Sequence, residues 1–469
     1  MSQPKIYGPD EQDPLACPLV DVEQLMEVFF QAERRIDQRL FGVEYEIFGQ
    51  IHNGSAPIPY EGPISITSLF KHLAERSVNF PDPMHPMYEG EHIVALSCKR
   101  AIIALEPGGQ LEIAARPHRH LFDVTGIFAD LVKEIEDAAL ELGINLFALG
   151  IHPMASREDM AQVKKARYSI MRQYMGGLYG LGLDMMTRSC AIQINLDYQN
   201  QKDMVEKIRL GAALVPFYSL LCSSAAFVDG KPASHAIERG HVWRMTDPDR
   251  TGLPPIIFAK DFGYRSWIDM VLDVPMYFCR RNDSYVDLSG ASFRDFMARG
   301  LNGHRATVRD FVDHMTTVFT EVRLKPILEL RSTDSLPVPF ANALFALTWA
   351  LFYDDKAHDE AQEIFFGLTH QELKTLHNAV IDHGKQAKFR DELVFDTLKR
   401  LFAIAESAMI DLAAKSLRPE LANLLAPLAT LLEKNLTFAE EIKGRYPYLD
   451  HSTLPALVRD FAPFNNPLS

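Results

Sequence analysis

Two glutamates, Glu44 and Glu46, alternate with apolar residues in segment 41–48. On a β-strand, residues two apart point to the same face of the sheet, so both carboxylates would share one face. Neighbouring carboxylates repel each other, and an unpaired charge is costly to bury. A divalent cation removes both penalties, and oxygen ligands suit Mg²⁺. The same pattern also fits an ordinary strand with one solvated face, so this pair alone does not establish a metal site.

A second segment of this kind surrounds a glycine turn. Gln110 and Glu112 alternate on a predicted strand, and Glu106 lies just before the turn 107–109. Glycines at such a turn leave room for a ligand to approach the backbone. A plain hairpin explains the glycines equally well, but it does not explain three polar side chains among apolar neighbours.

Two further strands repeat the alternation. In the third segment Asn195 follows Gln193 at the same spacing, and in the fourth Glu329 is followed by Arg331. Each segment by itself fits an ordinary sheet with one polar face. If all four strands belong to one antiparallel sheet, their polar faces line a single acidic surface. Such a surface suits Mg²⁺ ions that hold a nucleoside triphosphate.

A triphosphate site also needs positive groups for the phosphate oxygens. Arg239 and Arg250 lie in the polar, turn-rich stretch 229–255, and Arg172 lies just before the glycine-rich segment 176–182. A surface charge that only aids solubility is the alternative for each arginine. The sequence contains no P-loop, no Gly-x-Gly-x-x-Gly after a strand, no Gly-x-Ser-x-Gly and no His-Glu-x-x-His.

Charge and composition narrow the function classes further. The net charge of 48 − 62 = −14 argues against a nucleic-acid or anionic-membrane binder. No stretch reaches the ~18 consecutive apolar residues of a membrane span. Residues 1–18 show no pattern of a signal peptide. The five cysteines are odd in number and form no Cys-x-x-Cys, so reduced thiols and a cytoplasmic location are expected.

Hydrophobic periodicity predicts the elements that position these residues. Helices are expected over 22–40, 67–78, 125–142, 157–175 and 202–227, and strands over 41–48, 93–96, 101–105, 110–114, 145–151, 191–198 and 326–330. Residues 341–460 are rich in Ala and Leu and predict helices. The expected organisation is an irregular N-terminal arm (1–20), a catalytic α+β core (21–335) and a helical C-terminal section packed on the core (336–469).

Several longer segments together resemble the plant and proteobacterial type of glutamate–cysteine ligase. They occur in the family's order and span about residues 40–335. The segments are FGVEYEIFG (41–49), ALEPGGQLEI (104–113), ARYSIMRQYM (166–175), LGLDMMTRSCAIQINLDY (181–198), HVWRMTDPDRTGLP (241–254), LDVPMYFCRRN (272–282), ASFRDFM (291–297) and EVRLKPILELRSTDS (321–335).

The resemblance implies a fold and a reaction. The implied fold is α+β, with an antiparallel sheet curved into a glutamine-synthetase-like half-barrel, flanking helices and a helical C-terminal section. The implied enzyme uses ATP to phosphorylate the γ-carboxylate of L-glutamate, and the amine of L-cysteine then displaces phosphate. The products are γ-glutamylcysteine, ADP and phosphate, in the first step of glutathione biosynthesis. The implied metal is Mg²⁺, with Mn²⁺ as an alternative, in a monomer or a homodimer.

The resemblance also assigns roles to residues. The metal-binding acids are Glu44, Glu46, Glu106, Glu112 and Glu329. The catalytic residues are Glu46, Arg239 and Arg331, and the nucleotide-binding residues are Gln110, Asn195 and Arg250. Arg172 and Arg239 bind substrate. Two alternatives stay open: a γ-glutamyl ligase for a different amine, suggested by Arg116 where the family has a small residue, and a non-catalytic relative that binds nucleotide or amino acid.

Overall fold

An open nine-stranded sheet flanked by helices forms the centre of the protein. The structure is a computed structural model, and it describes residues 14–52, 54–282 and 284–468. Most of the predicted arm 1–20, and of the stretch searched for a signal peptide, lies outside the described residues. The strands are β1 (Phe41–Ile51), β2 (His85–Glu89), β3 (His92–Ser97), β4 (Ala101–Leu105), β5 (Leu111–His118), β6 (Ile144–Phe147), β7 (Ala191–Leu196), β8 (Phe227–Val228), β9 (Lys231–Pro232), β10 (Thr251–Gly252), β11 (Phe278–Arg281), β12 (Ser284–Asp287), β13 (Phe319–Thr320), β14 (Val322–Leu324), β15 (Leu328–Asp334), β16 (Lys388–Phe389) and β17 (Glu392–Leu393).

Helices surround this sheet and make up nearly all of the C-terminal section. They are α1 (Glu23–Phe30), α2 (Ile66–Ser77), α3 (Leu121–Glu141), α4 (Ala166–Gly177), α5 (Gly182–Arg188), α6 (Gln201–Leu221), α7 (Glu238–Arg244), α8 (Tyr264–Asp273), α9 (Phe293–Arg299), α10 (Val308–Met315), α11 (Val338–Tyr353), α12 (Asp355–Ile364), α13 (His370–His383), α14 (Val394–Ser416), α15 (Ala426–Lys434), α16 (Phe438–Arg445) and α17 (Leu454–Asp460). None of the helices in the described ranges has the length and apolar content needed to span a membrane.

The strand order explains how segments far apart in the chain meet. The sheet runs β14-β15-β7-β1-β5-β4-β3-β2, with β6 paired to one end of β1, and neighbouring strands are antiparallel. The four strands that carry the alternating polar residues are therefore adjacent, in the order β15, β7, β1 and β5. The predicted α+β class with an antiparallel sheet, flanking helices and a helical C-terminal section is confirmed.

The apolar face of the sheet is covered by helices from both halves of the chain. On β1, Tyr45 is fully buried and meets Phe128 of α3 edge to face, with ring centroids 5.2 Å apart. Phe128 in turn packs against Phe345 of α11 at 5.2 Å. Because side chains alternate along a strand, burying Tyr45 on this face turns Glu44 and Glu46 to the other.

Three predicted helices are shorter in the structure: the one predicted over 202–227 ends at Leu221 in α6, and the other two end or begin where a tertiary hydrogen bond intervenes. The helix predicted over 22–40 ends at Phe30 in α1, where Arg34 N–H donates to Tyr198 O at 2.9 Å. The helix predicted over 157–175 begins at Ala166 in α4, because the chain before it lies along the glycine turn and Val163 N–H donates to Pro107 O at 3.2 Å. In both places a tertiary hydrogen bond takes a backbone group that a longer helix would have used.

Candidate active site

The register of the sheet brings the predicted acids together. Glu46 on β1 lies directly opposite Glu112 on β5, and Glu44 lies opposite Gln193 on β7. Asn195 lies opposite Glu329 on β15. Residues paired in this way project to the same face, so the four polar segments form one surface, which we call the polar face.

Glu46 is held by two donors from β7. Its Oε1 accepts from Gln193 Nε2 at 2.9 Å, and its Oε2 accepts from Ala191 N at 2.7 Å. Burial, and next the charge of Glu106, raise the pKa of Glu46 to about 8, although Arg239 opposes this shift. The carboxylate is thus fixed in orientation by two neutral donors.

The other acids of the polar face crowd around it. Glu44 is buried, and its Oε1 accepts from Asn195 Nδ2 at 2.9 Å. Burial and then the charges of Glu44, Glu106 and Glu46 raise the pKa of Glu112 well above its usual range. The register places Glu44, Glu46 and Glu112 on this face, and the repulsion among their charges would be relieved by a bound cation.

Glu329 has a different environment from these four acids. Its Oε2 accepts from Arg323 Nε at 2.6 Å and Arg331 Nη1 at 3.1 Å, and its Oε1 accepts from Lys325 Nζ at 2.7 Å. Burial would raise the pKa of Glu329, but the three cations hold it well below its usual range. Its oxygens already hold three positive groups, one of which is Arg331. The predicted metal role of Glu329 stays a prediction.

Two arginines and a tryptophan cover one side of the polar face. Arg239, on α7, is buried, and its Nη2 donates to Arg331 O at 3.3 Å. Trp243 lies close to both guanidinium groups, with Cζ of Arg239 5.6 Å and Cζ of Arg331 5.8 Å from its ring centroid. The buried Nε of Arg239 has no hydrogen-bond partner among the described residues. A buried donor without an acceptor is suited to an anionic ligand.

Positive residues that the sequence analysis did not single out approach from α4. Lys165 Nζ donates to Leu105 O at 2.8 Å, and burial followed by the charge of Arg167 lowers the pKa of Lys165 to about 8. The charge of Glu106 acts on both residues. The basic run VKKAR before the tyrosine at 168 was the available signal, but nothing local places it against a turn 60 residues away.

Two other residues predicted to bind the nucleotide, Gln110 and Arg250, already have partners within the protein. Gln110 is buried at the turn, where its Nε2 donates to Ser189 O at 2.9 Å and its Oε1 accepts from Gly108 N at 2.9 Å. Arg250 is fully buried, pairs with Asp247 at 2.6 Å and stacks 4.0 Å from the ring centroid of Tyr277. Both residues therefore have partners within the protein, and their nucleotide-binding roles stay predictions.

Arg172 has contacts within the protein and also lines a cavity. Its guanidinium donates to Pro107 O and Val163 O at 3.5 and 3.4 Å. It also lines an open cavity of about 470 Å³ together with Lys164 and Lys165. A substrate role for Arg172 stays a prediction, in a cavity that borders the glycine turn.

The donor set of the polar face fits Mg²⁺ in charge and chemistry. Glu44, Glu46, Glu106 and Glu112 offer hard oxygen ligands whose repulsion a divalent ion would offset. Within the described ranges, no group of three or more His, Cys, Asp or Glu side chains is arranged so that it could hold a metal ion by itself. Mg²⁺ at nucleotide sites typically takes one or two carboxylates and completes its shell with phosphate oxygens and water. The face therefore fits a metal that arrives with the phosphates of a nucleotide.

Cys190 precedes the residue whose backbone N–H binds Glu46, but its thiol is not poised as a nucleophile. It is buried, and burial raises its pKa well above the usual value. All five cysteines are free. What the arrangement offers is acids for a metal on one side and guanidinium groups on the other, which suits transfer of a phosphoryl group between anions.

Comparisons with known proteins agree with this chemistry. A model of the family described as "Glutamate-cysteine ligase family 2(GCS2)" matches residues 40–455. The chain is 34% identical over 404 residues to the chloroplastic glutamate–cysteine ligase of Medicago truncatula, covering 86% of this chain and 78% of that protein. It is equally 34% identical over 404 residues to the enzyme of Arabidopsis thaliana, covering 86% and 76%.

A solved structure shares the fold. The glutamate–cysteine ligase of Francisella tularensis in complex with AMP superposes with a TM-score of 0.51 and 12% identity, over 92% of this chain and 89% of that one. At this identity the likeness speaks for the architecture alone. The arrangement of sheet and helices described above therefore also occurs in that solved structure.

The predicted cytoplasmic location is corrected by the relatives. Those from Medicago truncatula, Brassica juncea, Arabidopsis thaliana and Nicotiana tabacum are all named chloroplastic, which contradicts the prediction of a cytoplasmic protein. Cysteine usage misled because an odd, widely spaced set of thiols indicates only a reducing compartment, and the cytoplasm is not the only such compartment.

Proposed function

The chain belongs to the glutamate–cysteine ligase family 2, and from this premise we propose how its polar face carries out the reaction. The enzyme joins the γ-carboxylate of L-glutamate to the amine of L-cysteine and consumes ATP. The observation that supports this assignment is the register that sets Glu46 opposite Glu112 with the Arg239–Arg331 pair beside them.

The acids serve the nucleotide side of the reaction. Glu44, Glu46, Glu106 and Glu112 would hold Mg²⁺, which shields the triphosphate from the incoming carboxylate when it is bound. Asn195 and Gln193 keep the oxygens of Glu44 and Glu46 turned toward the ligand, because each amide donates to one carboxylate oxygen. In this proposal Asn195 supports a metal ligand and does not itself touch the nucleotide.

The guanidinium groups serve the anionic substrate. Arg239 presents an unpartnered buried donor, and Arg331 is kept in place by Glu329. Positive charge at this position stabilises the γ-carboxylate as it attacks and the acyl phosphate that forms. The acyl phosphate is then consumed by the cysteine amine, which needs no side-chain nucleophile of the enzyme.

Measurement of ADP release tests this function. With Mg²⁺-ATP and L-glutamate, we expect ADP to form when L-cysteine is added and γ-glutamylcysteine to appear in equal amount. Release that depends on glutamate but ignores cysteine would indicate a different amine acceptor. Nucleotide binding without any release would contradict the enzymatic function and favour a non-catalytic relative.

A further inference from the structure

The short helix α7 carries two groups of the proposed site but cannot orient itself. It spans only seven residues, Glu238–Arg244, and presents Arg239 and Trp243 to Arg331. A helix of this length is unstable alone, because nucleation is unfavourable and few hydrogen bonds repay it. The orientation of Arg239 must therefore come from whatever α7 packs against.

The last turn of α13, in the C-terminal section, contacts α7 at both of its ends. Asp382 accepts from Arg244 in a two-pronged pair, with Nη2 to Oδ1 at 2.7 Å and Nη1 to Oδ2 at 3.2 Å. At the other end, Ile381 O accepts from Ile237 N at 3.0 Å. Two parallel hydrogen bonds fix the plane of a guanidinium as well as its distance. The pair thus sets both the position and the rotation of α7.

Between these ends the two helices are in close contact. A Cβ at Gly240 would lie 3.1 Å from Ile381 Cγ1, which is tighter than ordinary van der Waals contact. Ile381 is itself buried. The glycine therefore allows α7 to approach α13 more closely than another residue would.

The position of α13 is in turn fixed by contacts that connect it to the sheet. It packs on α6, and α6 approaches the sheet so closely that a Cβ at Gly211 would lie 2.8 Å from Leu330 Cδ2 of β15. His370, at the start of α13, also donates from Nε2 to Leu253 O at 2.9 Å. The strand β15 carries Arg331, and it contacts α6, which contacts α13, which contacts α7. These contacts therefore fix Arg239 of α7 relative to Arg331.

We propose that Asp382 is a positioning residue for the ligase reaction, acting through Arg244 and α7 on Arg239. This inference rests on the proposed function, and it assigns the C-terminal section a part in the site. The side chains of Asp382 and Arg244 are 37% and 27% exposed. An ion pair this exposed contributes little to folding stability. A displacement of about 1 Å in a substrate-positioning group, however, can cost up to about 100-fold in rate.

The test compares Asp382→Asn with a matched control. Glu440→Gln neutralises an acid of nearly equal exposure, 38%, which pairs with Lys385 at 3.0 Å directly after α13. Its other side-chain partner is Thr437 N, at 2.9 Å, so both partners lie outside α7. Both substitutions preserve size. We expect D382N to lower cysteine-dependent ADP release by about tenfold or more, and E440Q to stay within about twofold of the wild type.

The kinetic pattern separates positioning from general damage. If Arg239→Lys changes kcat or KM, we expect D382N to change the same constant in the same direction. The double variant should release ADP no more than about twofold more slowly than R239K alone. D382E should recover part of the loss. Should D382N disturb the fold, Arg244→Gln removes the other half of the pair and is expected to give the same pattern. Kinetics of D382N equal to those of E440Q, while R239K is impaired, would overturn the proposal.

Hydrogen exchange keeps this test independent of the proposed activity. We expect faster amide exchange in residues 237–246 of D382N than in the wild type, and no change there in E440Q. If the wild type releases no ADP, the proposed function fails, and this comparison alone decides the positioning role. Equal exchange in both variants would then refute it.

Discussion

At the scale of single residues, two acids of the polar face differ in the groups that they contact directly. Glu329 is surrounded by Arg323, Lys325 and Arg331, so its charge is already balanced. Glu46 accepts only from an amide and a backbone N–H, and its pKa is raised to about 8 by burial and by the charge of Glu106. Glu46, whose direct hydrogen-bond donors are both neutral, is therefore better suited to a metal than Glu329 is.

This difference predicts the outcome of Glu46→Gln. The substitution removes a proposed metal ligand, so we expect ADP release to fall at least about 100-fold. An amide at this position also turns an N–H toward Gln193 or Ala191, both donors, so the free energy of unfolding should decrease by about 1–3 kcal/mol. Thermal unfolding and ADP release at several Mg²⁺ concentrations measure the two effects.

Glu134→Gln is the control for loss of a partly buried carboxylate away from the face. Glu134 lies on α3, and its Oε2 accepts from Arg100 Nη2 at 2.7 Å. Its ADP release should stay close to the wild type. An E46Q enzyme that keeps both its rate and its Mg²⁺ requirement would show that Glu46 does not bind the metal.

At the scale of elements, the β4–β5 turn is a packing junction. A Cβ at Gly108 would lie 2.1 Å from Thr187 O at the end of α5, closer than any real contact. Gln110 ties the same turn to Ser189 O at 2.9 Å. The glycine expected to admit a ligand instead admits the protein's own backbone, and this contact aligns the turn carrying Glu106 with the start of β7.

Gly108→Ala tests that reading of the turn. The added methyl group forces α5 and the turn apart, so we expect the free energy of unfolding to fall by about 1–3 kcal/mol. ADP release should fall as well, because Glu106 moves with the turn. Urea denaturation followed by circular dichroism, with activity measured on the same samples, gives both values.

Gly126→Ala provides the matched comparison. Gly126 is exposed on α3, and a Cβ there would meet nothing within 4 Å. Replacing a glycine inside a helix by alanine typically stabilises by about 0.5–1 kcal/mol. If G108A were as stable as G126A, the close approach to α5 would not be a constraint on the turn.

At the scale of the whole molecule, the C-terminal helices complete the core as well as the site. Phe345 of α11 lies against Phe128 behind the sheet, with ring centroids 5.2 Å apart. Ala148 N–H, just after β6, donates to Phe461 O at 2.9 Å, and Val338 N–H donates to Pro463 O at 2.6 Å. We propose that the predicted core 21–335 and section 336–469 depend on each other, because the apolar face of the sheet is buried only with both present.

Buried histidines make the stability of the whole molecule depend on pH. Burial lowers the pKa of His152 to about 3 and that of His314 to about 4. His152 Nδ1 accepts from Met154 N and Ala155 N at 3.3 and 2.9 Å, so this nitrogen carries no proton and the ring is neutral in the folded protein. Between about pH 6.5 and pH 4 the unfolded chain binds more protons than the folded one, so stability falls as pH decreases.

This loss should amount to about 2 kcal/mol per histidine between pH 7 and pH 5. His152→Asn keeps an acceptor for the two N–H groups but cannot take up a proton. We expect its free energy of unfolding, from urea titrations at pH 5, 6 and 7, to lose about 2 kcal/mol less than the wild type over this range. His85→Asn, at an exposed position, should follow the wild-type curve. Parallel curves for H152N and wild type would contradict the assignment.

Much of the polar face was predictable because strand alternation is local. The spacing of Glu44 and Glu46 decides that they share a face, whatever the rest of the chain does. The ordered motifs predicted the family, and through this resemblance the fold class, while the acidic charge only argued against other classes of function. Helix boundaries were predicted wrongly where a tertiary contact replaces a local preference, as at the end of α1 and the start of α4.

Only the tertiary structure decided which of these residues meet. Strand order pairs β1 with β7 about 150 residues away, and it sets Glu329 among cations that its own strand pattern does not reveal. Arg250 reads as a phosphate binder in the sequence, yet its burial beside Asp247 and Tyr277 depends on packing between separate segments. The sequence determines which face of a strand a side chain takes, since that depends on neighbouring residues. The partners across that face depend on long-range pairing, and no local pattern specifies it.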